Sequence, residues 1–397
     1  MGRMAIKPGK ILVLDAQQRS ALAAVRSLGV RPELTVYTAD AGDRSLAGSS
    51  KYSQKYFALP SPAEEPGAYI DQVSKIVDSL QVDFILPVTE ISSRTLLEHR
   101  ERLASVIMPF SSYETVRAVS DKSMLTKKAE LLGVPVPASR FYESLSQWNY
   151  MQENEFPFVL KPSFSRVMVD GKWISTTVRI VRSNRDLEKY IATDTYLASQ
   201  PFMIQEYIPG SGAGIFALYD NGSPVCFFSH RRIREKPPGG GVSVFSSSVA
   251  VPDDLKEFAH RLLADSGWSG VAMVEFRLAE DGRPYLMEIN TRFWGSLQLS
   301  IDAGLDFPLL LYRLYTEGAC ATPGEYQIGR KLRWLLGDLD HLLISVKDNS
   351  QSVGQKFKCL LQFLKFNRNT RHEIFRLEDW RPAVYELGEY FRQLISR

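Results

Sequence analysis

The stretch "VAMVEFRLAEDGRPYLMEINTRFWGS", Val271 to Ser296, has the alternating pattern of two β-strands joined by a turn. Asp281-Gly282 lies between the two halves and is typical of a tight hairpin turn. Polar groups nevertheless occupy positions where a hairpin would more often carry Thr or Val, namely Glu275, Glu288, Asn290 and Arg292. A series of two carboxylates, an amide and a guanidinium needs a chemical explanation.

The expected register of this hairpin brings the two carboxylates together. A two-residue turn would place Glu275 opposite Glu288. Asn290 and Arg292 follow Glu288 at every second position, so the three side chains should share one face of their strand. In the same register Arg292 would lie opposite Val271. The sequence therefore predicts a single polar face on this hairpin.

Two opposed glutamates have Cβ atoms about 5 Å apart and repel each other. Arg277 and Arg292 could compensate their charge, and two carboxylates with an asparagine amide also suit Mg²⁺. A surface face with salt bridges is the alternative interpretation. The other face of the hairpin is apolar and should hold it against a core: Val274, Phe276, Leu278, Tyr285, Met287 and Ile289.

The composition is that of an ordinary globular chain. Its 397 residues allow two or three domains, and a net charge of +3 does not by itself indicate nucleic acid or a membrane as partner. The three cysteines form no CxxC pair, which is typical of a reducing compartment, and the five histidines have no metal-ligand spacing. No apolar run reaches the roughly 18 residues of a transmembrane helix. We therefore expect a cytoplasmic protein that binds no nucleic acid.

Strands and helices alternate in the first part of the chain. "KILVLDA" and "ELTVYTAD" predict strands around a helix that ends at Gly29, and helices at Ala68–Leu80 and Ile91–Ala104 flank the strand "DFILPVTE". A short strand "VIMPF" follows. This order indicates a Rossmann-like parallel sheet. The first strand-to-helix turn, "LDAQQRSA", lacks glycine, which disfavours a dinucleotide site, and no GxxxxGK[ST] motif occurs.

The rest of the chain predicts a mixed arrangement. One long helix is expected from Tyr113 to Gly133, followed by strands "FPFVLKP", "TTVRIV" and "FMIQEYI" around a helix at Arg185–Leu197. Asn221-Gly222 marks a second hairpin, and a helix at Asp253–Asp265 precedes the first-quoted stretch. The remaining residues, 297–397, have mostly helical patterns.

In this hairpin "VEFRL" is followed, after six residues, by "YLMEINTRFWGS". This motif resembles the metal-binding end of the ATP-grasp superfamily. The resemblance extends over about Asp121–Pro308, and the nearest subgroup contains D-aspartate ligase and carbamoyl-phosphate-synthase-like carboligases. It implies an α/β and α+β fold with three parts. These are a Rossmann-like domain at 1–112, an ATP-grasp domain at 113–318 and a mostly helical extension at 319–397.

The resemblance also implies roles for single residues. Glu275, Glu288 and Asn290 would hold Mg²⁺, with Mn²⁺ as an alternative, and Arg292 would face the transferred phosphoryl group. The phosphates of ATP would be held by Lys122 in "SDKSML" and Lys161 in "FVLKP". The segment "MIQEYIPG" is similar to the hinge that meets adenine and ribose, which implies contacts from Gln205, Glu206, Tyr207 and Ile208.

Two loops complete the expected site. The loop after Lys161 lacks the glycine cluster of many family members. Ser163 and Ser165 could supply hydroxyl and amide donors to the phosphates instead, and which atoms close the site stays open. The run "PPGGG" should shape the acceptor pocket, and Arg234 lies near the position of a substrate-contacting base in related enzymes. Whether Arg231 and Arg232 act there or form a charged hairpin end stays open.

The function that the resemblance implies is an ATP- and Mg²⁺-dependent carboxylate–amine ligase. It would activate a small carboxylate, such as an amino acid, as an acyl phosphate for attack by an amine. The alternatives are an enzyme that phosphorylates bicarbonate and an inactive nucleotide-binding module. A homodimer is compatible with this interpretation. The basic stretch "KFKCLLQFLKFNRNTR" either packs on its own domain or contacts an acidic membrane surface or partner.

Overall fold

The computed structural model describes residues 6–150, 155–169, 171–318, 323–365 and 369–395. The first layer contains the elements β1 (Gly9–Val13), α1 (Arg19–Gly29), β2 (Leu34–Ala41), β3 (Tyr56–Leu59), α2 (Pro66–Leu80), β4 (Phe84–Leu86) and α3 (Glu90–Glu98). Its strands form a parallel sheet in the order β3-β2-β1-β4, which confirms the Rossmann-like prediction.

Three details of this layer differ from the sequence prediction. Strand β3 was not predicted from the sequence. The helix expected at Ile91–Ala104 ends at Glu98 and is followed by a 3₁₀ turn. The segment "VIMPF" contributes only one bridge, between Phe84 and Ile107. Strand β1 is buried on both faces, because Ile11 and Val13 pack in one core and Leu12 and Leu14 in another.

The next segment forms two helices where one was predicted. These are α4 (Tyr113–Ser120) and α5 (Lys122–Leu131). Asp121 interrupts the helix in an extended conformation, and its carboxylate accepts hydrogen bonds from the amides of Ser123 (2.9 Å) and Met124 (3.0 Å). Aspartate is a preferred N-cap residue because it satisfies amides that have no helical partner. The new helix start fixes the direction of Lys122.

A small antiparallel sheet follows. Its part of the chain contains β5 (Ser139–Tyr142), β6 (Phe158–Pro162), β7 (Arg166–Val169), β8 (Lys172–Ser175), β9 (Arg179–Val181), α6 (Asn184–Thr193) and β10 (Phe202–Glu206). The sheet order is β5-β10-β6-β9. Strands β7 and β8 form a separate two-stranded ribbon in the segment predicted as a polar loop. We call this segment the ribbon.

The largest sheet has seven strands. The remaining elements are β11 (Gly210–Asp220), β12 (Ser223–Lys236), β13 (Val242–Val249), α7 (Asp253–Asp265), β14 (Gly270–Ala279), β15 (Pro284–Asn290), α8 (Leu297–Asp302), α9 (Phe307–Glu317), β16 (Lys331–Arg333), α10 (Leu335–Lys347), α11 (Val353–Leu364), β17 (Thr370–His372) and α12 (Arg381–Ile395). The strand order is β15-β14-β11-β12-β13-β16-β17. Asn221 and Gly222 both have positive φ, as the predicted hairpin turn requires.

The hairpin of β14 and β15 contains a bulge. Glu275 lies opposite Glu288, as predicted, but Phe276 pairs with Leu286, so Met287 is an extra residue in β15. The turn is correspondingly longer than the two residues expected, with Ala279 bonded to the carbonyl of Arg283. The bulge changes the apolar face as well. Leu286 is buried in the core, whereas Tyr285 and Met287, which were predicted there, are only half-buried.

The segment after residue 318 is mostly helical, as expected, but it also supplies strands β16 and β17 to the large sheet. A buried ion pair fixes it to the first layer. The guanidinium Nε of Arg26 donates to the carboxylate of Asp379 at 2.8 Å, and Ser50 and the amide of Lys51 donate to the same carboxylate. Among the described residues no helix is both long and apolar enough to cross a bilayer.

Candidate functional site

The polar face of the β14–β15 hairpin holds two carboxylates between cations. Nη2 of Arg232 donates to Oε1 of Glu275 at 2.6 Å, and Nζ of Lys122 lies 3.5 Å from Oε2 of Glu288. Asn290 donates its amide to Glu288 at 3.2 Å. Arg277, predicted to compensate these charges, donates instead to the carbonyl of Ile208. Arg232 and Lys122 therefore neutralise the pair.

The pKa values of the two glutamates move in opposite directions. Burial raises the pKa of Glu275, and the neighbouring Glu288 raises it further against the effect of Arg232. Burial also acts to raise the pKa of Glu288, but Lys122 and Lys161 outweigh it and the net shift is downward. Two acidic side chains and an amide oxygen on one rigid face are a donor set that fits Mg²⁺ together with phosphate oxygens. Among the described residues, no group of three or more His, Cys, Asp or Glu side chains has the geometry of a metal site.

Two lysines lie beside this face. Nζ of Lys122 donates to the hydroxyl of Ser165 at 2.6 Å. Nζ of Lys161 donates to the carbonyl of Met287 at 2.6 Å, so the bulge in β15 supplies the acceptor that orients it. Burial lowers the pKa of Lys161 to about 8, although Glu288 acts in the opposite direction. An anionic ligand beside this buried ammonium would stabilise its charged form.

The two predicted serines occupy different environments. Ser165 borders the site through its bond to Lys122. Ser163 is fully buried, and its hydroxyl bonds to Ser123 at 2.6 Å while its amide donates to the carbonyl of Pro201. Ser163 therefore supports the start of α5 from beneath and presents no free donor to the site.

The predicted hinge residues follow the end of β10. Gln205 is buried and donates its amide to Ser139. Glu206 is exposed, Tyr207 is half-buried, and Ile208 is buried with its carbonyl bonded to Arg277. None of these four residues lines the cavity described next. Their contact with a nucleotide stays a prediction.

A cavity of about 840 Å³ adjoins the carboxylate face. Glu288, Asn290 and Arg292 line one side of it, although β15 ends at Asn290 and Arg292 lies in the following bend, not opposite Val271. The other walls come from all parts of the chain: residues 17–20 and 88–91, the ribbon, and residues of α10 and α12. This is the carboxyl edge of the parallel sheet, where ligands of open α/β sheets bind.

Arg234 does not line this cavity. Its guanidinium makes two bonds to Asp338, at 2.5 and 2.6 Å, and Arg333 donates to the same carboxylate. Arg231 is exposed, and of these three arginines of β12 only Arg232 contacts the carboxylate face. Alternation in β12 is broken by a register shift between Arg232 and Arg234, which sequence patterning could not reveal.

The ribbon is held against the first layer by Arg94, which sequence analysis did not single out. The Cζ of Arg94 lies 4.5 Å from the ring centroid of Trp173 and 5.2 Å from that of Phe164. Its Nη1 donates to the carbonyl of Arg166 at 3.2 Å, and the amide of Trp173 donates to the carbonyl of Ala63. The ribbon thus closes one side of the cavity.

Comparisons with known proteins agree with the fold described above. Residues 198–336 match the family model "ATP-grasp in the biosynthetic pathway with Ter operon". A search of the curated proteins gave no match. The fold is similar to that of an L-amino acid ligase from Bacillus licheniformis, with a TM-score of 0.60, 17% identity, and coverage of 78% of this chain and 75% of that one.

Two further solved structures have the same fold. The N5-carboxyaminoimidazole synthetase from Staphylococcus aureus has a TM-score of 0.63 and 14% identity over 87% of each chain. The biotin carboxylase from Campylobacter jejuni has a TM-score of 0.64 and 17% identity, covering 82% of this chain and 75% of that one. Residues 198–336 are therefore similar to an ATP-grasp family, and the described chain has the fold of these solved structures.

Proposed function

We propose that the protein is an ATP- and Mg²⁺-dependent ligase that joins a small carboxylate to an amine, with an acyl phosphate as intermediate. The observation that carries this proposal is the convergence of Glu275, Glu288 and Asn290 with Lys122 and Lys161 beside a large cavity. This set combines acidic oxygens for a metal with ammonium groups for phosphates. Ligases of this fold, such as the L-amino acid ligase, are among its structural neighbours.

Each residue of the carboxylate face and of the neighbouring lysines would have its own role. Glu275, Glu288 and Asn290 would hold Mg²⁺, which when bound supplies charge neutralisation to the transferred phosphoryl group. Lys161 would hold phosphate oxygens as a buried, oriented ammonium. Arg292, whose Nη1 donates to the carbonyl of Phe293 at 2.9 Å, would direct the rest of its guanidinium to the acyl phosphate.

The size of the cavity is compatible with a small carboxylate and an amine as substrates. Its volume of about 840 Å³ lies within the range of pockets that hold small-molecule ligands. Its walls carry both cationic and acidic side chains. Bicarbonate chemistry remains the second candidate, because a biotin carboxylase has the same fold.

The test measures ADP release and acyl phosphate formation together. Purified protein is incubated with ATP, Mg²⁺ and pools of the common amino acids, with and without bicarbonate, and hydroxylamine is added to trap acyl phosphates as hydroxamates. We expect ADP release and a hydroxamate with at least one pool. Turnover that requires bicarbonate alone would favour the carboxylase, and ATP binding without any turnover would favour a nucleotide-binding module.

A further inference from the structure

The acidic side chains that line the cavity have ion-pair partners, with one exception. Glu90 lies 3.6 Å from Arg94, Glu288 lies 3.5 Å from Lys122, and Glu389 lies 2.7 Å from Arg392. Asp340, in the same wall, pairs with Lys236. Among the described residues, Glu386 on α12 has no cation within ion-pair distance.

Glu386 is half-buried, and its Oε1 accepts a hydrogen bond of 2.5 Å from Nε1 of Trp334. One neutral donor is less than a buried carboxylate requires, because a buried charge is normally paired or bonded several times. The neighbouring elements do not supply a partner. Arg19 of α1 is paired with Glu373, and Glu373 and Asp340 carry the same sign as Glu386.

The cavity is also lined by a cationic side chain that has no ion-pair partner among the described residues. Arg166 of the ribbon donates to the carbonyl of Ser165 and forms no ion pair among the described residues. Arg292 donates to the carbonyl of Phe293 and to Oδ1 of Asn290, and its charge lowers the pKa of Glu275 and Glu288. Among the described residues, the cavity therefore contains one cation without an ion-pair partner, Arg166 of the ribbon, and one acid without an ion-pair partner, Glu386 of α12. A ligand with an anionic group and an ammonium group would neutralise both.

We propose that Glu386 binds the ammonium group of the amine substrate and accepts its proton before the amine attacks the activated carboxyl. This inference rests on the proposed ligase function and adds the residue that selects and activates the amine. It also gives α12 a direct role in the site, since Glu386 is held in the cavity by this helix.

The proton balance of the step is complete. The ammonium group transfers one proton to the Glu386 carboxylate and becomes a neutral amine. Its lone pair forms the C–N bond at the acyl carbon, and the C–O bond to the phosphoryl group breaks. Phosphate leaves with the electron pair of that bond and takes the second amine proton. Glu386 then releases its proton to solvent through the cavity.

The environment of Glu386 suits this transfer. Burial raises its pKa to about 7, the Trp334 bond and Arg19 lower it, and Glu373 and Asp340 raise it. A base acts most effectively when its pKa lies near the working pH. Because only the ionised form can accept a proton, amide formation should rise as the pH rises through about 7, and this limb of the profile should disappear in Glu386→Gln.

Hydroxylamine as the nucleophile, compared with an amine, isolates the role of Glu386. Hydroxylamine is uncharged at neutral pH, so no base has to remove a proton from it before it attacks. We expect Glu386→Gln to form hydroxamate from the amino-acid pools within about twofold of the wild type, but to lose amide product at least a hundredfold at pH 7. The control is Glu378→Gln, which removes the same charge at an exposed position outside the cavity. It should match the wild type in both reactions.

A binding measurement does not depend on turnover. With ADP and Mg²⁺ present, calorimetry should show that n-butylammonium binds the wild type at least tenfold more tightly than Glu386→Gln, whereas 1-butanol should not distinguish them. Equal affinity of the cation for both proteins, or normal amide formation by Glu386→Gln, would overturn the inference. Equal losses of hydroxamate and amide would also overturn it. Absence of hydroxamate in the wild type would instead refute the proposed ligase, while the binding comparison still tests Glu386.

Discussion

Single side chains on the β14–β15 hairpin carry most of the proposed chemistry. Glu275 and Glu288 are held in opposition by strand pairing, and Lys161 is oriented by the carbonyl of the bulged Met287. The rigid sheet beneath them means that a substitution should change charge and geometry at the site without releasing the strand. Two predictions belong to this scale.

Glu288→Gln should abolish ATP turnover and leave the fold intact. The amide retains the shape of the carboxylate but removes one metal-binding charge, and it relieves the repulsion with Glu275. The measurements are ADP release and thermal unfolding. Glu280→Gln, at the exposed tip of the same hairpin, is the matched control and should behave like the wild type. Normal turnover by folded Glu288→Gln protein would refute the metal assignment.

Arg292→Lys should keep nucleotide affinity within a few-fold and reduce ligation severely. Lysine retains the charge but lacks the planar fork that can hold two oxygens of an acyl phosphate. Calorimetry with ATP and product formation from the amino-acid pools measure the two effects. Equal loss of affinity and activity would place Arg292 in the nucleotide site.

At the scale of elements, the ribbon is joined to the first layer through few contacts. Arg94 contributes a stacked guanidinium over Trp173 and a hydrogen bond to the carbonyl of Arg166. The ribbon consists of two short strands, and an isolated two-stranded ribbon has little stability of its own. Its closed position therefore depends strongly on this arginine.

Arg94→Ala should loosen the ribbon while the sheets stay folded. We expect amide hydrogen exchange in β7 and β8 to become at least tenfold faster, and the KM for ATP to rise several-fold. Lys172→Ala is the control, because Lys172 forms an exposed ion pair with Glu64 and should matter little. Unchanged exchange in Arg94→Ala would mean that other contacts hold the ribbon.

Sequence patterns predicted elements well where local rules decide them. The alternation of β14 and β15 gave the opposed glutamates, and Asn221-Gly222 gave the second hairpin. Local patterns could not reveal the bulge at Met287, since it depends on pairing across strands. They also missed the helix break at Asp121, because the hydrophobic periodicity continues through it.

The whole molecule is joined by contacts between residues distant in sequence, and these were least predictable. Arg232, Arg94 and Glu386 each reach the site from an element whose place depends on the complete fold. The partner of Arg234 also comes from far along the chain, at Asp338. Sequence analysis therefore recognised the carboxylate face, which is local, and misjudged its surroundings.

Asp379→Ala should destabilise the protein by about 3–5 kcal/mol, because it leaves the buried guanidinium of Arg26 without its charge partner. Denaturant unfolding measures the loss. Asp71→Ala, which removes an exposed partner of Arg102, is the control and should change stability little. A loss as small as that of the control would mean that Arg26 finds another partner or becomes hydrated.

The order in which the cavity walls are translated has a consequence for the growing chain. Its walls include Gln17 near the start of the described chain and Leu394 near its end. Chains grow on the ribosome from the N-terminus at about 5–20 residues per second, and domains generally fold as they emerge. The carboxylate face is thus complete while the nascent chain still lacks α12. If the proposed mechanism holds, a chain without Glu386 would lack the group that deprotonates the amine. On the proposed mechanism, selection of the amine therefore requires that α12 has been synthesised and packed against the cavity.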